Sequence, residues 1–397
     1  MIIGIVGKPN CGKSTFFKAA TLSDVEIANY PFATIKPNSG VGFVRVNCAC
    51  NYFNVTCNPR SGYCTGKTRY VPIKIIDVAG LVPGAHLGKG MGFEFLDDLN
   101  KADVLIHVID VSGGTNEKGE PLSDNSHNPA KDIKFLEDEL DHWYFNILKK
   151  DWDKIARRVQ QTDKEIAESL HDKMSGVGAT EEIIKKALRE ETLLEKPVLK
   201  WNDENLLSLC RNLRKKTKPI MIAANKVDVK GAKENLKRIK KEFPNYKIIG
   251  TSAESELALK EAAKHDIITY HAGDKEFKIK KEVTKKQEKA LNFIKEKVLQ
   301  NKNATGVQKT LDTAVFDVLE YIHVFPGGEN NLEDKDGNTL PDCFLIPKES
   351  TALDFAYKIH TDLGKKFIQA KDVKKKLPVS KSHTLQSGDV IEIISDA

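Results

Sequence analysis

Long apolar runs and a secretory leader are both missing from this sequence of 397 residues. No stretch approaches the roughly 20 consecutive apolar residues needed to cross a bilayer. The opening residues, MIIGIVGKPNCGKS, have neither the basic flank nor the cleavage site of a signal peptide. A strong charge excess is missing too, because 62 basic residues face 56 acidic ones. The sequence therefore predicts a cytoplasmic protein without a membrane partner, and its charge alone does not indicate nucleic acid binding.

Disulfide bonds are not expected, because the seven cysteines of a cytoplasmic chain are thiols or metal ligands. Four of them lie close together in the sequence: Cys48, Cys50, Cys57 and Cys64. Four thiolates can hold Zn²⁺ tetrahedrally, but a C-x-C pair followed by two gaps of six residues departs from the usual C-x2-4-C pairs. Free structural thiols are therefore the preferred interpretation, and a structural Zn²⁺ site is the alternative.

Short apolar runs indicate the main fold. They occur at 2–6, 71–76, 104–109 and 220–223, and each is followed by turn or phosphate-type residues. Such runs are typical of strands that are buried on both faces of a parallel sheet. Because longer segments separate them, they predict an α/β fold with a doubly wound, mostly parallel sheet, and with ligands at the carboxyl ends of its strands.

The length and the 40% hydrophobic content allow more than one core. Apolar residues at steps of three and four predict a helical insertion at about 128–216, with a coiled-coil-like hairpin or a solvated cap as its form. A lysine-rich helical pattern follows later, and alternating strands around a helix at 351–361 predict a small α+β domain. The predicted divisions are 1–275 for the main domain, 276–315 for a basic helical connector and 316–397 for the closing domain.

Residues 7–14, GKPNCGKS, fit GxxxxGK[ST] between a strand and a helical segment. Glycines let backbone amides point at phosphate oxygens, and the start of the following helix adds favourable charge. Lys13 is expected to reach the β- and γ-phosphates, and the Ser14 hydroxyl is expected to bind Mg²⁺. The other expected contacts of this P-loop with nucleotide are Gly7, Asn10, Cys11, Gly12 and Thr15.

A second segment, DVAG at 77–80, ends another strand. There Asp77 can hold a magnesium-bound water, and the Gly80 amide can meet the γ-phosphate. An ordinary turn at the end of a strand is the alternative. Since kinases, ATPases and GTPases share the P-loop, neither segment identifies the base.

The base is indicated by NKVD at 225–228, which follows the apolar run PIMIAA. The Asp228 carboxylate can accept hydrogen bonds from N1 and the exocyclic amine of guanine, a donor pair that adenine lacks. Asn225 would tie this loop to the P-loop, and the stem of Lys226 would cover the base. The amides of Ser252 and Ala253, in TSA at 251–253, would meet the guanine carbonyl. Together the segments predict GTP and GDP as ligands.

The sequence resembles the Obg group of translation-factor-class GTPases, within it the archaeal and fungal branch near YchF. The resemblance spans nearly the whole chain and rests on GKPNCGKS at 7–14, NYPFATIKPNSG at 29–40, DVAGLVPGAHLGKGMG at 77–92 and NKVD at 225–228. The closing segment resembles a TGS domain, a β-grasp module, through TALDFAYKIHTDLG at 351–364 and LQSGDVIEI at 385–393.

The resemblance implies that Thr34 lies in the first switch, binds Mg²⁺ and takes part in catalysis with Lys13 and Gly80. Leu81 stands where Ras-type enzymes carry a water-orienting glutamine, so hydrolysis is expected to be slow and to depend on a partner or a monovalent cation. Asn10 matches the asparagine that is associated with K⁺ dependence in some relatives.

The resemblance also sets the expected function and its alternatives. TGS-like domains are implied to contact RNA or regulatory ligands, which together with the basic connector predicts association with the ribosome or tRNA. A regulatory GTPase is the leading prediction. YchF-type proteins are implied to prefer ATP, so a YchF-like ATPase is the first alternative, although NKVD favours GTP. A nucleotide-stabilised RNA-binding or assembly module with little turnover is the second.

Overall fold

The computed structural model describes residues 1–22, 38–78, 99–162, 165–300, 304–329, 331–334 and 336–396. The strands of these residues are β1 (Ile2–Val6), β2 (Ser39–Asn47), β3 (Tyr63–Thr65), β4 (Thr68–Asp77), β5 (Val104–Asp110), β6 (Ile220–Asn225), β7 (Ile248–Gly250), β8 (Ile268–Thr269), β9 (Lys278–Ile279), β10 (Tyr321–Pro326), β11 (Phe344–Pro347), β12 (Phe367–Asp372), β13 (Leu377–Val379) and β14 (Val390–Ser395).

The α-helices of the same residues are α1 (Lys13–Thr21), α2 (Cys50–Phe53), α3 (Pro129–Lys149), α4 (Trp152–Gln161), α5 (Ile166–Met174), α6 (Glu181–Glu190), α7 (Asp203–Thr217), α8 (Ala232–Glu242), α9 (Ala253–Lys264), α10 (Lys285–Phe293), α11 (Val307–Thr313), α12 (Ala352–Ile359) and α13 (Thr361–Lys365). Wider π-type turns follow two of them at Ile294–Leu299 and Ala314–Val318. Short 3₁₀ turns lie at Ser175–Val177, Leu193–Glu195 and Val198–Lys200.

The chain divides into two compact units, each assembled from separate stretches of sequence. The first contains residues 1–19, 75–258 and 283–307, and the second contains residues 20–74, 259–282 and 308–397. These units follow contacts, whereas the boundaries predicted at 275 and 315 follow sequence motifs, so those boundaries stay a prediction.

The first unit is built on a parallel sheet. In it β1 pairs with β5, β5 with β6, and β6 with β7, all in parallel. The end of β4 lies on the other side of β1, where the Val78 amide donates to the Ile5 carbonyl at 3.0 Å. Every residue of β5 is buried, as its nearly continuous apolar sequence predicts. The four apolar runs thus lie in strands, and the predicted doubly wound fold is confirmed.

The predicted helical insertion lies between β5 and β6 and consists of α3 to α7. Asn128 caps α3 by accepting from the Ala130 amide, and Pro129 occupies its first turn, where proline needs no amide partner. The helices share one apolar core with β5 and β6, in which Trp152 stacks on Trp201. A coiled-coil-like hairpin was therefore the wrong form, because the apolar residues cover broad faces of several helices rather than one two-helix seam.

The second unit contains a separate sheet near the end of the chain, with strand order β11-β10-β14-β12-β13. Helix α12 packs on it, and the two share an apolar core around Val324, Phe355 and Ile391. The predicted closing α+β domain is confirmed. The same unit contains the hairpin of β3 and β4, whose two-residue turn has φ of 52° at Gly66 and 84° at Lys67. Two successive positive φ values are typical of the type I′ turn, whose twist suits a hairpin.

The described residues contain no helix that combines the length and the apolar character needed to span a bilayer.

Candidate nucleotide-binding site

The P-loop connects β1 to α1 at the carboxyl edge of the parallel sheet. A Cβ atom at Gly7 would lie 2.5 Å from the Val108 carbonyl oxygen, and one at Gly12 would lie 2.2 Å from Asn225 Nδ2. Gly12 also has φ of 92°. Only glycine fits both positions without moving the backbone. The loop therefore closes tightly and directs the first amides of α1 toward any bound phosphate.

Two charged side chains face each other beside this loop. The Lys13 ammonium forms an ion pair and hydrogen bond with Asp77, and both side chains are mostly buried. Ser14 is exposed at the first turn of α1, and Thr15 is half-buried. A phosphate in the loop would approach Lys13 while the Asp77 carboxylate lies at its side. Hydroxyl and carboxylate oxygens at 14 and 77 are the ligand types that Mg²⁺ prefers.

Asn225 joins the NKVD segment to the P-loop. It is buried at the end of β6, and its Nδ2 donates to the Cys11 carbonyl at 3.0 Å. Its Oδ1 accepts from the Ala253 amide at 3.0 Å and from the Thr251 hydroxyl at 3.3 Å. One side chain thus connects the three loops that follow β1, β6 and β7.

The rest of NKVD forms a turn at the same edge. Lys226 has φ of 64°, and its ammonium lies 2.9 Å from the Asn10 carbonyl oxygen and 2.7 Å from Asp110 Oδ2. The turn closes where the Val229 amide donates to the Lys226 carbonyl at 3.1 Å, and Asp228 lies half-buried within it.

The two amides expected to meet guanine are engaged within the protein. The Ser252 amide donates to the Thr305 carbonyl at 2.8 Å, and the Ala253 amide donates to Asn225 Oδ1 at 3.0 Å. Both residues are buried. A guanine carbonyl would therefore have to share or replace one of these acceptors.

The loop after β5 also belongs to this site, although its sequence predicted no role for it. The Lys8 ammonium donates to the Thr115 carbonyl at 2.9 Å, and Asn10 Nδ2 donates to the Gly119 carbonyl at 3.0 Å. Gly119 has φ of 83°, and a Cβ there would lie 2.4 Å from the Pro9 carbonyl oxygen. This loop therefore supports the P-loop from outside.

Asp110 organises that supporting loop. It is fully buried at the end of β5, and its carboxylate accepts from the Ser112 amide at 3.1 Å and the Thr115 hydroxyl at 3.1 Å, besides its contact with Lys226. A signal was available in the sequence, because an aspartate directly follows the apolar run at 104–109. The pairing of β5 with β1, which the sequence does not reveal, is what places Asp110 beside the P-loop.

Burial sets the charge states around the P-loop. Lys8 lies 2.8 Å from Asp132 Oδ2, a buried ion pair whose angles do not make it a hydrogen bond. Burial and the nearby Lys8 charge lower the pKa of His107 to about 3, so this histidine is neutral. Burial raises the pKa of the Cys11 thiol to about 12, which makes it a packing residue rather than a nucleophile.

Several expected site residues lie outside the described part of the chain, namely Thr34, Gly80 and Leu81.

Known proteins are similar to this chain in sequence and in fold. Three family models match the chain: a 50S ribosome-binding GTPase at residues 2–139, the G4 motif-containing domain of YGR210-like Obg-like GTPases at 223–328, and a TGS domain at 334–395. A GTP-binding protein of Methanocaldococcus jannaschii is 48% identical, over 100% of this chain and 99% of that protein. The chain belongs to the Obg-like family of GTP-binding proteins.

Other members extend this comparison. The crystal structure of a GTP-binding protein from Pyrococcus horikoshii has a TM-score of 0.80 and 36% identity, and covers 100% of both chains. YchF of Buchnera aphidicola, named a ribosome-binding ATPase, is 28% identical over 94% of this chain and 88% of that protein. The Obg-like family unites P-loop nucleotide hydrolases, and the expected P-loop GTPase fold with a closing TGS domain is confirmed.

Proposed function

We propose that this Obg-like protein is a regulatory switch that binds GTP with Mg²⁺ and hydrolyses it to GDP and phosphate. The observation that carries the proposal is the connection made by Asn225. It holds the turn that contains Asp228 against the P-loop, so the carboxylate that would bind guanine and the loop that would bind phosphate belong to one site. A single nucleotide can contact both.

The residues beside the P-loop fit Mg²⁺, since Ser14 offers an exposed hydroxyl and Asp77 a carboxylate next to the phosphate-binding lysine. Ser14 and Thr34 would bind the ion directly, and Asp77 would act through water. The ion would offset the charge of the phosphates. K⁺ is a further candidate at Asn10. Its nitrogen donates to Gly119, and only its amide oxygen can bind a cation.

Catalysis would rest on positioning and charge rather than on a covalent intermediate. Lys13 would exchange part of its contact with Asp77 for the phosphates, while Thr34 and the Gly80 amide would stabilise the γ-phosphoryl group. Leu81 cannot orient water by hydrogen bonding, so slow intrinsic turnover is expected. A partner or K⁺ would then raise the rate, and equal turnover in Na⁺ and K⁺ buffers would exclude the K⁺ hypothesis.

GTP is favoured over ATP because Asp228 is a hydrogen-bond acceptor at the position where the base is read. Adenine would leave a half-buried carboxylate without the donor pair that guanine supplies. The names of YchF relatives keep an ATPase as the second candidate. A nucleotide-stabilised RNA-binding module with little turnover is the third.

The ribosome is the proposed partner, and tRNA is the alternative. YchF relatives are named ribosome-binding, and the closing domain and the connector expose lysines. The exposed lysines are Lys365, Lys366, Lys375 and Lys376 in the closing domain, and Lys285, Lys286 and Lys289 in α10. Binding to RNA phosphates should weaken steeply with salt. A ribosomal partner also implies a cytoplasmic location.

Calorimetric titration of nucleotide-free protein with GDP and with ADP, both with Mg²⁺, tests the base assignment. We expect tight GDP binding that Asp228→Asn weakens by about 100-fold or more, since the amide replaces one acceptor oxygen by an NH₂ donor that faces a guanine donor. Asp153→Asn makes the same chemical change at an exposed helical position and should bind GDP normally. ADP preference that Asp228→Asn leaves intact would replace the GTPase by the ATPase.

A turnover assay with and without ribosomes separates the switch from the binding module. We expect slow phosphate release that ribosomes accelerate. No release under either condition would contradict the enzyme and favour the module in which nucleotide is structural.

A further inference from the structure

Four cysteine side chains of the second unit converge on one point. Cys48 and Cys50 are buried, and Cys57 and Cys64 are half-buried. Their four sulfur atoms all lie within 4.8 Å of one another. The Sγ atoms of Cys48 and Cys57 are 3.7 Å apart. The other cysteines, Cys11, Cys210 and Cys343, are outside this group.

The sulfur separations, 3.7 Å between Cys48 and Cys57 and no more than 4.8 Å for any pair, leave room for a single metal ion between them. Zinc–sulfur bonds of about 2.3 Å put the sulfurs of a tetrahedral site about 3.8 Å apart. A disulfide would need about 2.05 Å, so the 3.7 Å between Cys48 and Cys57 is not a bond. An iron–sulfur cluster distributes its four cysteines over two or four irons, so at least some of their sulfurs lie farther apart than around a single ion. Thiols are also weak hydrogen-bonding groups, so mutual attraction does not explain four of them together.

We propose that Cys48, Cys50, Cys57 and Cys64 bind one structural Zn²⁺ as four thiolates. The unusual spacing is explained by the local fold. Cys48 follows the end of β2, Cys50 begins α2, Cys57 lies in the loop after it, and Cys64 is the middle residue of β3. The sequence gaps between the cysteines are therefore occupied by a short helix, a loop and the residues that lead into the β3–β4 hairpin.

The segment between the cysteines contains little regular structure that would hold it. Residues 54–62 lie outside helix and strand. Backbone hydrogen bonds anchor its start, among them those from the Cys48 amide to the Lys67 carbonyl at 3.1 Å and from the Val55 amide to the Cys50 carbonyl at 3.1 Å. Ordering such a loop costs conformational entropy, which metal binding can offset. We call residues 48–64 the cysteine knuckle.

Charge around the cysteine knuckle suits thiolates. Four thiolates and one Zn²⁺ carry two net negative charges. The guanidinium of Arg69 is fully buried and interacts with Cys48 and Cys57. It also donates to the Leu340 carbonyl at 2.6 Å. A buried cation next to sulfur is expected beside a thiolate-rich site, since outer contacts stabilise ligand charge.

The cysteine knuckle also contacts the closing domain within the second unit. The Tyr52 hydroxyl donates to the Lys374 carbonyl at 3.0 Å, and the Lys374 ammonium lies 5.3 Å from the centre of its ring. The Asn58 amide donates to the Thr339 carbonyl at 2.9 Å, and the Arg60 amide donates to the Pro341 carbonyl at 2.9 Å. The ion would thus keep the face that carries these contacts in one shape.

Elemental analysis of the full chain, purified without a histidine tag, tests the site. We expect about one zinc per chain. Replacement by Co²⁺ should give the intense visible bands of a tetrahedral ion and the near-ultraviolet bands of thiolate ligation. The double variant Cys57→Ser/Cys64→Ser should lose both signals. The control variants Cys210→Ala and Cys343→Ala each remove a thiol outside the group and should keep both the zinc and the Co²⁺ bands.

A second measurement does not depend on a folded variant. Modification of the unaltered protein with a mercurial should release zinc in step with loss of the four thiols. Reduced protein that holds no metal and gives no Co²⁺ spectrum would overturn the proposal. Iron in place of zinc would overturn it as well, as would a double variant that keeps its metal.

Discussion

The P-loop and the cysteine knuckle are both irregular segments that follow a strand, yet they are held in different ways. Two other loops hold the P-loop through hydrogen bonds. Asn225 and Lys226 of the NKVD turn donate to its backbone carbonyls. The carbonyls of Thr115 and Gly119, in the loop after β5, accept from its Lys8 and Asn10 side chains. The cysteine knuckle instead turns four sulfurs toward a shared centre. Contacts within the protein hold the first region, whereas the second adds to its backbone contacts the ion that we propose.

This difference has a consequence for function. A phosphate loop that the protein already supports offers its amides without a large reordering cost, which favours binding of nucleotide. If metal orders the cysteine knuckle, then the conformation of one surface of the second unit depends on bound zinc. Nucleotide affinity and the stability of the second unit should therefore respond to different treatments.

The largest expected effect is on the rate of GTP hydrolysis and tests whether Lys13 contacts the phosphates. Lys13→Ala should lower the rate of GTP hydrolysis roughly 1,000-fold, because one preorganised charge on the phosphates is lost. The control Lys18→Ala removes the same charge from an exposed position of the same helix and should leave the rate within about twofold. Phosphate release under single-turnover conditions gives both rates. Similar losses in both variants would show that Lys13 is not the phosphate contact.

The next effect is on protein stability and concerns the buried ion pair of Lys8 and Asp132 beside the P-loop. Lys8→Met removes the ammonium from the buried Asp132, which keeps its contact with the His127 ring, and should lower the free energy of unfolding by about 3 kcal/mol. Lys131→Met breaks an exposed pair with Glu117 and should cost less than about 1 kcal/mol. Urea denaturation measures both, and chelators should change neither difference. Equal small losses would mean that the buried pair does not hold this region.

A smaller effect depends on pH and concerns His107 of β5, which pairs with the last residue of β1 just before the P-loop. The pKa of His107 is lowered to about 3 by burial and by Lys8, whereas an unfolded histidine titrates near 6.5. As pH falls below 6.5 the unfolded chain takes up the proton first, so the folded state loses stability. About 2 kcal/mol should be lost between pH 7 and pH 5.

The variant His107→Leu should remove that part of the pH dependence, and His265→Leu, at an exposed position, should not. Denaturant midpoints at several pH values in the same buffers provide the measurement. An unchanged slope in the His107 variant would assign the acid sensitivity to another group. Any acid release of metal affects all these proteins alike and cancels in the comparison.

Sequence patterns predicted the parts of the two regions that depend on local chemistry. Apolar runs gave β1, β5 and β6, since strands buried on both faces need continuous apolar residues. The NKVD motif also suggested that Asn225 ties two loops together, because its amide can both donate and accept. These features are readable since each depends on neighbouring residues or on a known order of strands.

Long-range geometry was not readable in the same way. The close approach of Gly119 to the Pro9 carbonyl joins positions far apart in the chain, and no sequence pattern near Gly119 predicts it. The cysteine spacing was equally ambiguous, because sequence distance does not reveal that the turn at Gly66 and Lys67 folds β3 back onto β4. Only the folded hairpin determines how close Cys64 comes to the other sulfurs.

The smallest effect gives the sharpest view of the cysteine knuckle. Tyr52→Phe removes only the hydroxyl that donates to the Lys374 carbonyl and keeps the ring beneath its ammonium. In zinc-loaded protein this should cost about 0.5–1 kcal/mol of unfolding free energy, the usual net value of one hydrogen bond. Tyr357→Phe, at another exposed tyrosine of the second unit, should cost nothing measurable. In zinc-stripped protein the Tyr52 effect should disappear, because a knuckle without its ion no longer holds the ring in place. An equal Tyr52 effect in both forms would show that the protein orders the knuckle by itself, and the two regions would then be held alike.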